Sequence, residues 1–317
     1  MSKSYQLTAY FMPFLFDSHT HLQFSAFDKD REEVIKRTLD SNIWTVNAGS
    51  QKDTSEKAVE LANKYSEGVY AAVGLHPIHT NSIHLDPQEI GGGNGFNSRS
   101  ENFDYEFYKK IALNEKVVAI GECGLDYYRS AQIKNLKIKN KNDDLRFENL
   151  KEIQKNTFVQ QIKLAKELNK PLMIHCRAER DSNHAQRGAA TKAFSDLIQI
   201  LSSNSQLLNT PPGIIHFFTG TIEDARTLLE MGFYFTFGGL ITYNRQFDEI
   251  IKFIPLEKIL LETDAPYVAP EPHKGKRNEP IYIKETAQKM AKIKNISLEK
   301  MSEQTTQNAF KIFDIGK

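Results

Sequence analysis

The sequence predicts an α/β fold of the (β/α)8 TIM-barrel type with loop insertions. Three observations carry that expectation. Eight short apolar runs alternate with segments of helical periodicity, the pattern of a parallel sheet buried on both faces. The 317 residues accommodate one barrel of about 250 residues plus insertions. Several runs end in His, Glu or Asp, and a barrel brings all strand ends to one face, where active sites are built. A doubly wound open sheet is the alternative, but no Gly-x-Gly-x-x-Gly fingerprint accompanies it. No linker parts two self-sufficient sets of strands, so residues 1–317 read as a single domain.

The first run, 10–16, reads as a buried strand leading into Asp17-Ser18-His19-Thr20-His21. Two imidazoles one residue apart on a strand end face the same way, because side chains alternate with period two. Such a pair is a natural start for a metal site. Residues 30–41 place Val34, Ile35 and Leu39 on one helical stripe. Residues 44–48 form the second strand, and Asp53 or Thr54 caps a helix reaching Tyr65. The third strand, 69–73, closes with Gly74-Leu75-His76-Pro77. Residues 78–103, rich in Gly and Asn, form a long loop; its Gly run lacks the Lys-Ser/Thr ending of a nucleotide loop.

A helix over 105–113 precedes the fourth strand, 117–120, which ends in Gly121-Glu122-Cys123-Gly124-Leu125-Asp126. The Lys/Asn-dense stretch at 130–146 is a solvated insertion or a phosphate-steering patch. A long amphipathic helix then runs from about 147 to 168, and the fifth strand, 172–174, ends in His175-Cys176-Arg177. Another insertion spans 179–189, before a helix over 190–201. The sixth strand, 214–216, ends at His216; Thr221 caps a helix over 222–231 with Glu223 and Asp224 in its first turn. The seventh strand is 233–237. A helix near 248–253 precedes the eighth, 259–264, which ends Glu262-Thr263-Asp264. Helices over 282–293 and 297–313 close the chain.

Composition narrows the function classes. With 40% hydrophobic and 26% charged residues the chain has ordinary globular usage. Its 41 Lys and Arg against 40 Asp and Glu leave a net charge of +1, so any attraction for phosphate must be local. Two cysteines, Cys123 and Cys176, exclude a disulfide framework and fit a reducing, cytoplasmic compartment. No run approaches the roughly 18 apolar residues of a membrane span. The N-terminal apolar run is broken by Pro13 and lacks a small-residue cleavage site, against a signal peptide. No obligate protein partner is evident.

The strand ends gather His19, His21, Glu122, His175, His216 and Asp264. Four imidazoles and two carboxylates suit one or two divalent ions, with Zn, Mn or Fe favoured by nitrogen and Mg or Mn by oxygen. His19-Thr20-His21, Gly74-Leu75-His76-Pro77, Gly121-Glu122-Cys123-Gly124-Leu125-Asp126-Tyr127, His175-Cys176-Arg177, His216-Phe217-Phe218-Thr219-Gly220 and Glu262-Thr263-Asp264-Ala265-Pro266-Tyr267 resemble the motifs of TatD-family metal-dependent deoxyribonucleases. The stretch 272–280 is similar to that family's loop after the last strand, and the resemblance runs from about 14 to 313. It implies a metal-dependent hydrolase of the amidohydrolase-like barrels that removes nucleotides 3′ to 5′ from DNA, in repair or degradation. It implies two divalent ions (Mg, Mn or Zn) held by His19, His21, Glu122, His175, His216 and Asp264, with Glu122 bridging. The longer loops at 78–103, 130–146 and 179–189 depart from the family's usual connections.

Such ions polarise a phosphoryl oxygen and acidify a water, and Asp264 is the candidate general base. His76 either contacts the scissile phosphate or caps the turn before Pro77. Arg177 and Arg277 are candidate phosphate contacts, Arg277 within a Lys274-Gly275-Lys276-Arg277 cluster. Arg277 could instead pair with Glu279 or Glu262. Glu262, two residues before Asp264, faces inward to orient a ligand or an arginine. Cys123 and Cys176, each directly after a ligand, should point away from the metals. The competing enzymatic reading is an amide or ester hydrolase on the same barrel, such as an aminoacyl-tRNA deacylase.

Overall fold

The eight apolar runs become eight parallel strands that close on themselves in a computed structural model describing residues 12–81, 84–85, 96–97, 99–128, 141–178 and 191–316. In chain order the strands are β1 (Leu15–Thr20), β2 (Ile43–Ala48), β3 (Val69–Val73), β4 (Val117–Asp126), β5 (Leu172–Arg177), β6 (Gly213–His216), β7 (Tyr234–Phe237) and β8 (Ile259–Leu261). Each pairs with its neighbours in parallel, and β1 pairs with β8 to complete the barrel.

The helices are α1 (Arg31–Asp40), α2 (Lys52–Ala62), α3 (Tyr105–Ala112), α4 (Lys141–Glu167), α5 (Lys192–Ser203), α6 (Ile222–Glu230), α7 (Asp248–Phe253), α8 (Ile283–Lys294) and α9 (Leu298–Phe313). Helix and strand residues such as Ile35, Leu61, Val73, Phe158 and Leu197 form the outer apolar layer. A second cluster sits at the N-terminal ends of the strands, where Phe16, Met173, Ile214, Tyr234 and Leu260 meet Phe313 of α9. That plug closes the base and leaves the opposite end for polar groups.

Local chemistry explains most starts and stops. Thr221 caps α6 as expected, accepting from the Asp224 amide while Asp224 accepts from Thr221. The α2 cap is Gln51 rather than Asp53 or Thr54; the Thr54 hydroxyl reaches back to the Ser50 and Gln51 amides. Helix α4 is already formed at Lys141, six residues before the expected start. The insertions at 130–140 and 179–189 lie outside the described residues. The expected loop after β3 contains a short 3-10 turn, Pro77–Thr80, and an antiparallel ribbon of 84–85 with 96–97.

Three strands differ from expectation in ways that shape the mouth. β1 starts at Leu15 and carries His19 within it. Its register slips between Asp17 and Thr20; strict alternation from the inward Phe16 would have turned His19 away. β4 continues to Asp126, so Glu122 lies inside the strand, with a second slip between Ile120 and Cys123. Gly121 is required there, because a Cβ would stand 2.4 Å from the Met173 carbonyl oxygen. β8 stops at Leu261, and Asp264 lies beyond it with φ +55. Among the described residues no helix is long and apolar enough to cross a membrane.

Candidate metal centre

Glu122 stands at the middle of the mouth, buried, with its two oxygens facing different partners. Oε2 lies 3.4 Å from His19 Nε2 and 3.8 Å from His21 Nε2. Oε1 lies 3.1 Å from His175 Nδ1, 3.6 Å from His216 Nε2 and 3.2 Å from His76 Nε2. Asp264 Oδ1 completes the first side, 3.3 Å from His21 Nε2 and 3.6 Å from His19 Nε2. All six residues expected as ligands therefore converge. Three overlapping sets have donor atoms mutually within 4.8 Å: His19, Glu122 and His216; His19, His21 and Asp264; His76, Glu122 and His175.

The outer nitrogens of the imidazoles fix which inner nitrogens are free. His21 Nδ1 lies 2.7 Å from the Ala48 carbonyl oxygen, to which Gln23 also donates. His216 Nδ1 lies 2.7 Å from Glu262, and His175 Nε2 lies 3.1 Å from Asp126. In the neutral ring each of these acceptors draws the proton outward and leaves a lone pair aimed at the centre. His19 backs on the Met173 sulfur, a weak acceptor, at 3.1 Å. The Nε2 atoms of His19 and His21 then face each other at 3.1 Å. Two nitrogens that close share either a proton or a cation, so the donor set fits a divalent ion.

Charge distribution agrees. Burial alone would push the Glu122 carboxyl up, but His76, His19 and His175 hold it well below the usual carboxylate range. Asp264 is likewise lowered against burial, by His21, His216 and His19. Burial disfavours charge on His216, yet Glu262 draws it up to about 10. Burial also opposes charge on His175, but Asp126 and Glu122 raise its pKa. His19 and His76 are lowered, chiefly by burial.

The backbone laces the ligand-bearing segments together. The Asp264 amide donates to the His19 carbonyl and the His21 amide to the Ala265 carbonyl. Asp17 accepts from the Thr263 amide and hydroxyl, at 2.9 and 2.5 Å. Asp264 and Phe217 hold left-handed backbone beside the centre, φ +55 and +47, at a cost of about 1–3 kcal/mol each. Glu262 takes the expected orienting role, accepting from the Phe217 amide and Thr236 hydroxyl as well as facing His216.

The rim residues divide. Arg177 stacks its guanidinium 3.9 Å above the Tyr128 ring, and among the described residues its N–H groups make no hydrogen bond or ion pair. For Arg277, Asp30, Glu279 and the Ala26 carbonyl take its donors at 2.6 to 2.9 Å, the pairing with Glu279 being one of the two alternatives the sequence offered. Its face lies over Phe27. Lys274 lies 4.1 Å above the Tyr243 ring. Cys123 and Cys176 are buried in the outer apolar layer, their thiols raised by burial, as alternation required.

Asp126, Asp17 and Tyr128 had no role assigned from the sequence. Asp126 was findable, because 122, 124 and 126 share a strand face by alternation. Tyr128 had no such signal.

A family model described as TatD related DNase matches residues 16–314. The "Uncharacterized metal-dependent hydrolase YabD" of Bacillus subtilis (strain 168) is 34% identical over 305 residues, spanning 95% of this chain and 100% of that protein. The "3'-5' ssDNA/RNA exonuclease TatD" of Pantoea ananatis (strain LMG 20103) is 28% identical over 309 residues, spanning 95% and 100%. Among solved structures, YJJV, a TatD homologue from Escherichia coli K12, superposes with a TM-score of 0.72 at 22% identity, covering 96% and 99% of the two chains. That likeness shows the shared barrel.

Proposed function

The chain belongs to the TatD-related DNase family of metal-dependent hydrolases, and from that premise we propose that it is a 3′-to-5′ exodeoxyribonuclease with a dinuclear centre. The observation that carries the dinuclear reading is the division of Glu122, one oxygen toward His19 and His21, the other toward His175 and His216. His19, His21 and Asp264 would hold one ion and His175 and His216 the other, with Glu122 placed to serve both. When bound, divalent ions (Mg, Mn or Zn) supply Lewis acidity toward a phosphoryl oxygen and an acidified water. Substrate class is supported by the family description, by the printed activity of the Pantoea relative, and by the donors of Arg177, which are open among the described residues.

The chain's own groups then act in sequence. Asp264, kept ionised by its histidine neighbours, accepts the proton of the attacking water as general base. Arg177, held flat on Tyr128, binds a backbone phosphate of the strand through paired N–H donors. His76 stands beside Glu122, its Nε2 3.2 Å from Oε1, so a phosphate contact through that atom would compete with Glu122. Residues 1–317 serve this chemistry as a single domain.

Metal-stripped protein incubated with single-stranded DNA labelled at the 5′ or the 3′ end, with Mg, Mn or Zn restored, tests the reading. The expected result is metal-dependent release of mononucleotides from the 3′ end. No shortening with any of the three ions, together with turnover of an aminoacyl ester, would replace it with the amide or ester hydrolase. Asp264→Asn is a second check: turnover should collapse while metal content falls modestly. Parallel loss of metal would reduce Asp264 to a ligand.

A further inference from the structure

We infer that His76 serves the centre as a fixed hydrogen-bond donor to Glu122 and is excluded from metal ligation by the backbone amide of Ile78. By separation alone it is as good a ligand as its neighbours, since its nitrogen lies within 4.8 Å of donor atoms of both Glu122 and His175. The hydrogen bonds behind the ring decide otherwise. His76 Nδ1 accepts from the Ile78 N–H at 3.1 Å. A ring nitrogen that accepts is unprotonated, so the proton of the neutral imidazole sits on Nε2. That N–H lies 3.2 Å from Glu122 Oε1.

Ligation through Nε2 would need its lone pair, and would move the proton to Nδ1. Two N–H groups would then face each other at the Ile78 contact. His21, His175 and His216 have the opposite arrangement, each with an oxygen acceptor behind its outer nitrogen. The local sequence builds the difference. Pro77 opens the 3-10 turn at its first position and has no N–H to offer, so the amide of Ile78 meets the His76 cap. The donor turns Glu122 Oε1 toward the His175 side and leaves Oε2 for His19 and His21. His76 is thus a positioning residue for the carboxylate, an inference that rests on Glu122 being a metal ligand.

Two variants separate the roles. His76→Asn keeps an acceptor for the Ile78 amide but cannot reach Glu122. His76→Gln can present an N–H toward Glu122 and loses the cap. At saturating Zn both should bind as many metal equivalents per chain as wild type. His76→Asn should lose about 10–100-fold in turnover of end-labelled DNA, and His76→Gln less. A long-range proton–nitrogen NMR spectrum of the whole protein, with and without Zn, should show His76 protonated at Nε2 in both states. Loss of one metal equivalent in His76→Asn, a proton on Nδ1, or full activity of His76→Asn would each overturn the inference. Should wild type cleave no DNA, the nuclease reading fails, while the metal count and the spectrum still judge His76.

Discussion

Arg177, the last residue of β5, and Arg277, on the loop beyond β8, stand at the same end of the barrel, and their surroundings differ in one respect that bears on function. On the β5 side, Arg177 follows His175 by two residues and rests on Tyr128, its N–H groups open among the described residues. Beyond β8, Arg277 makes a two-pronged pair with Asp30 and a further contact to Glu279, which also holds Arg37. One region leaves its polar groups aimed at a shared space; the other closes them on one another. A cationic cluster in the sequence does not distinguish the two, because partners decide. Positive charge beside an active site signals a substrate contact only when nothing in the protein has already claimed it.

The largest effect should come from the centre of the open region. Glu122→Gln keeps the volume and removes the charge that two groups of imidazoles face. Turnover should fall by several orders of magnitude, as when a core catalytic group is lost, with the far-ultraviolet circular dichroism of the barrel unchanged. More than a tenth of wild-type activity would remove Glu122 from the bridging place. Metal uptake itself should depend on pH. His216 is drawn up to about 10 and His175 is raised, so an incoming cation must displace the His216 proton and competes with protons at His175 more than at an ordinary imidazole. Zn affinity should therefore rise with pH, and calorimetry in buffers of different ionisation enthalpy should register proton release. A pH-independent affinity would contradict that assignment of protons.

Arg177→Ala should act next in size and by a different route. Removing one phosphate contact should weaken DNA binding about tenfold and lower the slope of log affinity against log salt by about one. Metal content should stay at the wild-type value. An unchanged slope would mean that Arg177 is a packing partner of Tyr128 and no more, which would remove the functional half of the comparison.

The sequence made the barrel and the six converging donors legible because each lies at or near the end of a short apolar run, and strand order in a closed barrel does the rest. The reasons were not always the expected ones. His19 faces inward through a slip in register between Asp17 and Thr20, and Asp264 through a left-handed turn after β8; neither follows from alternation. Partners far apart in the chain were the illegible part. Asp30 meets Arg277 across 247 positions, and no local pattern marks such a pair. The preference of Pro77 for the start of a turn was visible, but that the next amide would meet an imidazole required the folded geometry.

The smallest effect concerns the closed region. Arg277→Ala should leave metal content, turnover and the salt slope of DNA binding unchanged, and should lower stability. The loss should be about 1–2 kcal/mol, since the pair is part-exposed and the ring contact with Phe27 goes with it. Its pH dependence has a definite sign. The hydrogen bond from Arg277, aided by Arg37 and opposed by slight burial, holds the Asp30 carboxyl below its ordinary range. A lowered folded-state pKa contributes stability that is present above the unfolded aspartate value of about 3.9 and is lost as pH falls through the lower folded value. Urea titrations of wild type and Arg277→Ala should therefore differ at pH 7 and converge only as pH falls from about 4 through the lowered Asp30 value. A gap that persists at low pH would place the stabilisation in the stacking on Phe27 instead of the charge pair. A flattened salt slope in the same variant would show that substrate draws Arg277 away from Asp30, and the contrast between the two arginines would fail.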